Sequence, residues 1–241
     1  MKKIASLIIL LCLVSSLAWS QKRSGDRIPL IGSVAPSFKA ESTNGTVNFP
    51  DDFGKSWKII FSHPQDFTPV CSSELLELSY LQPEFDKLGV KVLVVSTDKL
   101  SQHNEWKSSL ETITYLGRPP QKINFPIVSD EDYKISKEYG MVHHPTSTAK
   151  DIRGVYIIDP DNIVQAVCFY PMNIGRNMEE FVRTVQALQT AHDNVVMPAN
   201  WEPGKDVMLS YLNHEDKAEK EMANNSPIYE VSWYMIFKKL P

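Results

Sequence analysis

Hydrophobic and polar positions along this chain follow two rhythms. Trp57 to Phe61 and Val90 to Ser96 are apolar, β-branched runs with the length of central strands. Between them, Ser72 to Leu88 places Leu75, Leu76, Leu78 and Leu81 at helical spacing, and Pro83 is expected to kink or divide that helix. Leu100 to Leu110 predicts a second helix capped by Ser101. Asn177 to His192 predicts a third, with Met178, Phe181, Val182, Val185 and Leu188 along one face. Phe125 to Val128 and Gly154 to Ile158 predict strands, and Asp159-Pro-Asp-Asn162 predicts a turn into the run Ile163 to Tyr170. Asn44-Gly45 inside Ser42 to Phe49 is a strong hairpin signal. Strands alternating with helices predict an α/β layered fold.

The first residues follow neither rhythm. Lys2 and Lys3 precede an apolar stretch through Val14, then Ser15-Ser-Leu-Ala-Trp-Ser20 supplies small residues suited to cleavage after Ser20. A basic start, a short apolar core and such an ending predict a secretory signal peptide over residues 1–20. Its apolar run is shorter than the ~20 residues that span a bilayer, so no stable membrane span is expected. A lipoprotein signal at Cys12 is disfavoured because Ile9-Leu-Leu-Cys12 lacks the small residues that cleavage needs. The expected destination is outside the cytosol: secreted, periplasmic or in the lumen of the secretory pathway. In a eukaryotic secretory route Asn44-Gly-Thr46 is also a glycosylation sequon. Cleavage leaves about 220 residues, enough for one large domain or a domain with an appendage. Apolar content of 42% suits a globular core, and a net charge of −4 offers no basic face for nucleic acid.

Candidate chemistry concentrates between a strand and a helix, in Ser62-His-Pro-Gln-Asp-Phe-Thr-Pro-Val-Cys-Ser-Ser-Glu74. This places Cys71 near a helix N-terminus, where unpaired backbone N–H groups and the helix dipole favour negative charge. A thiolate is a nucleophile and a thiol is not. Thr68 sets a hydroxyl three residues before the sulfur, and Pro64 and Pro69 stiffen the loop. A lone cysteine is otherwise a small buried hydrophobe. Cys168, in an apolar strand-like run, fits that plainer description. His143-His144 lacks a third ligand at useful spacing, so a loop without metal is expected there. Met172 and Met178 read as core filler.

Pro64-x-x-x-Thr68-x-x-Cys71 resembles the active-site motif of the peroxiredoxins, and its surroundings resemble the one-cysteine, Prx6-like branch. The likeness continues through Pro36-Ser-Phe38, Arg153 before Val155-Tyr-Ile-Ile158, Tyr170-Pro-Met-Asn-Ile-Gly-Arg-Asn177 and Pro198-Ala-Asn-Trp-Glu-Pro-Gly-Lys-Asp-Val-Met208. The resemblance implies a thioredoxin-like domain over residues 28–192, a central mixed sheet flanked by helices. It also implies a C-terminal extension over 193–241 that contacts a partner in a homodimer or higher oligomer. It implies a peroxidase that reduces hydrogen peroxide and alkyl hydroperoxides through a Cys71 sulfenic acid. Arg153 would sit beside the sulfur and donate to a peroxide oxygen. Thr68 and the Cys71 backbone N–H would donate as well. Pro64 would shield the sulfur from water, Glu74 would orient the arginines, Arg176 would complete the charge network, and His63 would lie near the sulfur. No cysteine follows Cys168, so no resolving thiol is expected within the chain. No cofactor is expected, and the reductant would be external, glutathione or a thioredoxin-like protein.

Some animal members of the branch carry a phospholipase segment; here it reads Gly54-Lys-Ser-Trp-Lys58, Pro50 stands where a histidine is expected, and only Asp161 matches. A nucleophilic serine needs its base, so this activity is not expected. A disulfide reductase would need Cys-x-x-Cys, whereas the chain has Cys71-Ser-Ser-Glu74. A non-catalytic chaperone is the rival from another class, and it differs in being indifferent to loss of the Cys71 sulfur.

Overall fold

The computed structural model describes residues 28–191, 194–210 and 227–240. The expected signal segment, with Cys12, lies outside these. A seven-stranded sheet forms the centre, in the order β2-β1-β5-β4-β3-β6-β7. Its strands are β1 (Phe38–Ser42), β2 (Gly45–Phe49), β3 (Trp57–Ser62), β4 (Val90–Ser96), β5 (Ile127–Ser129), β6 (Arg153–Ile158) and β7 (Val164–Tyr170). β3 and β4 run parallel, as do β4 and β5, while β6 is antiparallel to both β3 and β7. The mixed sheet follows from the connections. Helices of 19 and 11 residues carry the parallel crossovers, and the Asp159–Asn162 turn closes the antiparallel pair, with Asn162 at φ 66°.

Both faces of the sheet are covered, which is why its central strands carry apolar residues at consecutive positions rather than at alternate ones. Ile59, Phe61, Val92, Val94, Val155 and Ile157 face one core. They pack there against helices α1 (Pro69–Lys87), α2 (Leu100–Leu110) and α4 (Met178–Thr190). Ile60, Leu93, Val95, Tyr156 and Ile158 point to the opposite core, with Ile135 of α3 (Lys134–Glu138), Tyr139 and Met141. The Asn44-Gly45 signal produces the β1–β2 hairpin, with Ser42 opposite Gly45 and Gly45 at φ 93°.

Several expected boundaries move for local reasons. α1 runs unbroken through Pro83, because buried Leu75, Leu76, Leu78 and Phe85 anchor it on both sides of the missing N–H. α2 starts after Lys99, so Ser101 lies inside the first turn and does not cap it. β5 begins only after Pro126, which has no N–H to give the ladder, although its carbonyl still accepts from Val94 N at 3.1 Å. α4 is capped by Asn177, whose side chain accepts from Glu179 N and Glu180 N. No described helix is long and apolar enough to cross a membrane.

Beyond α4 the chain builds a second, antiparallel sheet that the pattern of residues had not disclosed. Its order is β10-β11-β9-β8, from β8 (Val195–Val196), β9 (Val207–Leu209), β10 (Ile228–Ser232) and β11 (Met235–Lys238). Buried Trp201 and Val207 pack with Val195 and Ala187, and Arg183 Nη1 of α4 donates to the Trp201 carbonyl at 2.9 Å.

One buried hydroxyl ties the strands that carry the chemistry. Ser62 Oγ, at the end of β3, donates to the Ile152 carbonyl at 2.7 Å and accepts from Gly154 N at 2.8 Å. It thereby clamps the backbone on both sides of Arg153. Gly154 leaves room for this, since a Cβ there would meet Ser62 Oγ at 3.0 Å and the Phe169 ring at 3.2 Å. Ser62→Ala removes both bonds of the clamp and leaves the Gly154 N–H and the Ile152 carbonyl only their 3.1 Å contact with each other, so it is expected to lower stability by about 1–3 kcal/mol. Denaturant unfolding at neutral pH measures this, and an unchanged midpoint would refute the clamp.

Candidate active site

Cys71 is the third residue of α1. Thr68 is the N-cap, Pro69 occupies the first helical position, and no side chain caps the first-turn N–H groups. The loop enters the helix through Phe67, a non-glycine residue at φ 54° whose ring remains half exposed, so the chain turns sharply just before the sulfur. Pro64 is buried, and Cys71 is fully buried.

Arg153 opens β6 and crosses to the start of α1. Its Nη1 lies 3.4 Å from Cys71 Sγ and 2.8 Å from Glu74 Oε2. Its Nε and Nη2 both donate to the Met172 carbonyl, which fixes the plane of the guanidinium. Arg176 grips the same carboxylate from the other side. Its backbone N and Nε reach Glu74 Oε1 at 2.8 and 2.9 Å, and its Nη2 reaches Oε2 at 2.7 Å. Arg176 Nη1 donates to the Gly154 carbonyl at 2.8 Å, and its guanidinium lies 5.2 Å from the centre of the Phe61 ring. Burial alone would raise the Glu74 carboxyl. The charge and hydrogen bonds of Arg176, joined by Arg153, outweigh it and hold the group below its ordinary value. Two guanidinium charges therefore face one carboxylate, and one positive charge is left beside the sulfur.

The expected site residues thus meet around one helix start, with differences in detail. Thr68 is partly exposed, and its hydroxyl donates to the Gln65 carbonyl at 2.8 Å. That hydrogen reaches a peroxide only if this bond is given up. His63 is buried, with Nε2 2.8 Å from Asp66 Oδ1. Asp66 Oδ2 meets His103 Nδ1 at 2.6 Å, which gives a buried His-Asp-His cluster that went unread in the sequence. Its signals were present, since Asp66 belongs to the Cys71 segment and His103 stands three residues before buried Trp106 on α2. These three side chains are also the one group among the described residues with spacing for a metal ion, but both contacts have ordinary hydrogen-bond lengths. Met172 serves through its carbonyl, while Met178 is core.

Cys168 sits half-buried on β7 opposite Val155; burial, then the charge of Glu180, pushes its thiol up. His143 packs on the Phe169 ring at 5.2 Å, and His144 is exposed. Asp161 pairs with Lys55 at 2.7 Å on the surface. A cavity of about 520 Å³ lies apart from this site, between β1 and the Ser129–Glu138 segment.

Known proteins share this sequence pattern and this fold. The AhpC/TSA family profile matches residues 31–167, and that of the C-terminal domain of 1-Cys peroxiredoxin matches 187–225. A peroxiredoxin of Methanosarcina mazei is 39% identical over 215 residues, covering 88% of this chain and 98% of its own. Peroxiredoxin 6 of Arenicola marina, solved as a cysteine-to-serine mutant, superposes with a TM-score of 0.78 at 33% identity, covering 88% of this chain and 98% of its own. The yeast mitochondrial 1-Cys peroxiredoxin, solved to explain thiol resolution through glutathione and thioredoxin systems, gives 0.78 and 33%, covering 88% and 100%. The shared thioredoxin-like fold places the chain in the peroxiredoxin class. The chain belongs to the AhpC/TSA family, in its one-cysteine peroxiredoxin branch. It is a thiol-dependent peroxidase of antioxidant defence.

Glu74 is the shared anion of both arginines, so Glu74→Ala leaves two buried guanidinium groups unpaired and is expected to cost about 3–5 kcal/mol. Its folded-state carboxyl lies below the ordinary 4.5, so the stabilisation is complete above that value and is lost as pH falls through the carboxylate range. Denaturant melts at pH 7 and pH 4 test both: the gap between wild type and Glu74→Gln should narrow at the lower pH, and a constant gap would refute the assignment.

Proposed function

We propose that Cys71 is the peroxide-reducing nucleophile and that Arg153 is the group that makes it one. The observation that carries this reading is the guanidinium nitrogen 3.4 Å from the sulfur, in an array with one uncompensated positive charge. A sulfur anion neutralises that charge, and a neutral thiol does not. The anion attacks the terminal oxygen of hydrogen peroxide or an alkyl hydroperoxide and the O–O bond breaks. Cys71 becomes S–OH, and the departing hydroxide or alkoxide takes up a proton. Negative charge spreads over both oxygens in the transition state. Preorganised donors stabilise it there, namely Arg153 and the first-turn N–H groups of α1. Pro64 excludes water above the sulfur. Arg176 and Glu74 act through Arg153, by fixing its position and its charge.

The sulfenic acid is then resolved by an external thiol. That thiol forms a mixed disulfide with release of water, and a second thiol returns Cys71 to its reduced form. Two observations support an outside reductant. Cys168 is half-buried with its thiol pushed up, which disfavours the attacking anion. The yeast mitochondrial neighbour is described as resolved through glutathione and thioredoxin systems. Export, read from Lys2, Lys3 and the apolar run that follows, is proposed on the sequence alone. Packing of the C-terminal extension against the partner in a homodimer is supported by exposed Val231, Trp233 and Tyr234 at the β10–β11 hairpin.

Peroxide consumption by the purified protein, supplied in turn with glutathione, a thioredoxin system and dithiothreitol, tests the reading. Cys71→Ser should fall to the uncatalysed rate with every reductant, while Cys168→Ser should stay within about twofold of wild type. Turnover by Cys71→Ser would sink the mechanism.

A further inference from the structure

Beneath the loop that carries Cys71 lies a carboxylate held between two imidazoles. Asp66 Oδ1 meets His63 Nε2 at 2.8 Å and Oδ2 meets His103 Nδ1 at 2.6 Å, and all three side chains are buried. An ionised carboxylate only accepts hydrogen bonds, so each nitrogen facing it carries its hydrogen. The two remaining nitrogens, His63 Nδ1 and His103 Nε2, are buried and have no hydrogen-bond partner among the described residues. A second proton on His63 would leave its buried Nδ1–H with no acceptor among the described residues. A bare lone pair costs less. His63 is therefore neutral, with its hydrogen on Nε2, and His103 turns its Nδ1 hydrogen to the carboxylate.

The anion itself is held in place. Asp66 N donates to Asp98 Oδ2 at 2.7 Å, and Lys150 Nζ meets the other Asp98 oxygen at 2.7 Å. The charged and titratable groups facing His63 are thus Asp66, His103 and Asp98, the last neutralised by Lys150. Burial outweighs the pull of the two carboxylates and keeps His63 below its ordinary value. The cluster also reaches both ends of the reactive loop. His63 directly precedes Pro64, and its ring lies 5.0 Å from that of Trp106, whose indole N–H donates to Ser72 Oγ at 3.2 Å, next to Cys71.

We propose that Asp66 and His103 are positioning residues for the peroxidase reaction, holding His63 neutral in a single tautomer and bracing the loop that presents Cys71. The proposal rests on Cys71 being the nucleophile. Under it, His63 brings no charge toward the sulfur, whose counter-ion is Arg153, and its free nitrogen can only accept. Asp66→Asn offers one acceptor and one donor where there were two acceptors, so one ring must change tautomer. His103→Asn keeps an N–H where Nδ1 stood, whereas His103→Leu does not.

Two measurements on the full chain test this. Histidine ¹⁵N spectra report which nitrogens carry hydrogen, with no reference to activity. Stopped-flow oxidation of Cys71 by hydrogen peroxide, across the range of histidine titration, reports the function. Wild-type His63 should keep Nε2–H and a bare Nδ1 at neutral pH. His103→Leu should oxidise about tenfold more slowly and His103→Asn should recover to within about threefold, while Asp66→Asn should show one ring with its hydrogen moved to the other nitrogen. A charged His63, or one protonated on Nδ1, in the wild type would overturn the proposal. So would His103→Leu matching wild type in rate and pH profile, a comparison that holds even if Asp66→Asn does not fold. Failure of the underlying reading looks different, because Cys71→Ser would then still consume peroxide.

Discussion

The structure depends on one carboxylate being shared by two buried guanidinium groups. Glu74 accepts four hydrogen bonds, one from Arg153 and three from Arg176, and all three side chains are nearly inaccessible to water. A pair of buried like charges without Glu74 would be strongly unfavourable, and a fully neutralised array would offer nothing to a sulfur anion. The count of two against one satisfies both demands. It leaves one positive charge, pointed at Cys71 by the Met172 carbonyl that orients the Arg153 plane.

This constraint explains features of the scaffold that otherwise look unrelated. The arginines come from the first residue of β6 and from the loop before α4, while Glu74 and Cys71 lie one helical turn apart on α1. Three chain segments must therefore meet within the length of two side chains. The Ser62 clamp holds β6 to β3, Gly154 allows the close approach of Phe169, and the Gly154 carbonyl receives the free arm of Arg176. On the other side of the loop, the His63-Asp66-His103 cluster and Trp106 support the start of the helix. The loop that carries the cysteine thus lies between the arginine–glutamate array and the His-Asp-His cluster.

Much of this was legible in the residues. The central strands are apolar at consecutive positions because both sheet faces are covered, and the helices declare themselves by spacing. Cys71, Arg153, Glu74 and Arg176 were singled out through a family resemblance. Residue pattern alone gives a cysteine at a helix start but no way to pair it with an arginine 82 positions away. Elements fixed by long-range packing were harder to read. Pro83 sits in an intact helix because the core on both sides outweighs the local penalty, and the short strands after residue 194 carry too few residues for a period to show. Asp66 and His103 escaped notice because only the fold brings α2 against the loop. Thr68, read as a donor to substrate, already donates to Gln65, a contact that no spacing rule reveals.

The most direct test of the central claim is the second-order rate of Cys71 oxidation by hydrogen peroxide in Arg153→Gln, measured with no reductant present. Loss of a preorganised donor and of the charge beside the sulfur should slow that step by about 10²–10³-fold or more. A rate within about twofold of wild type, in a protein shown to be folded, would contradict the account.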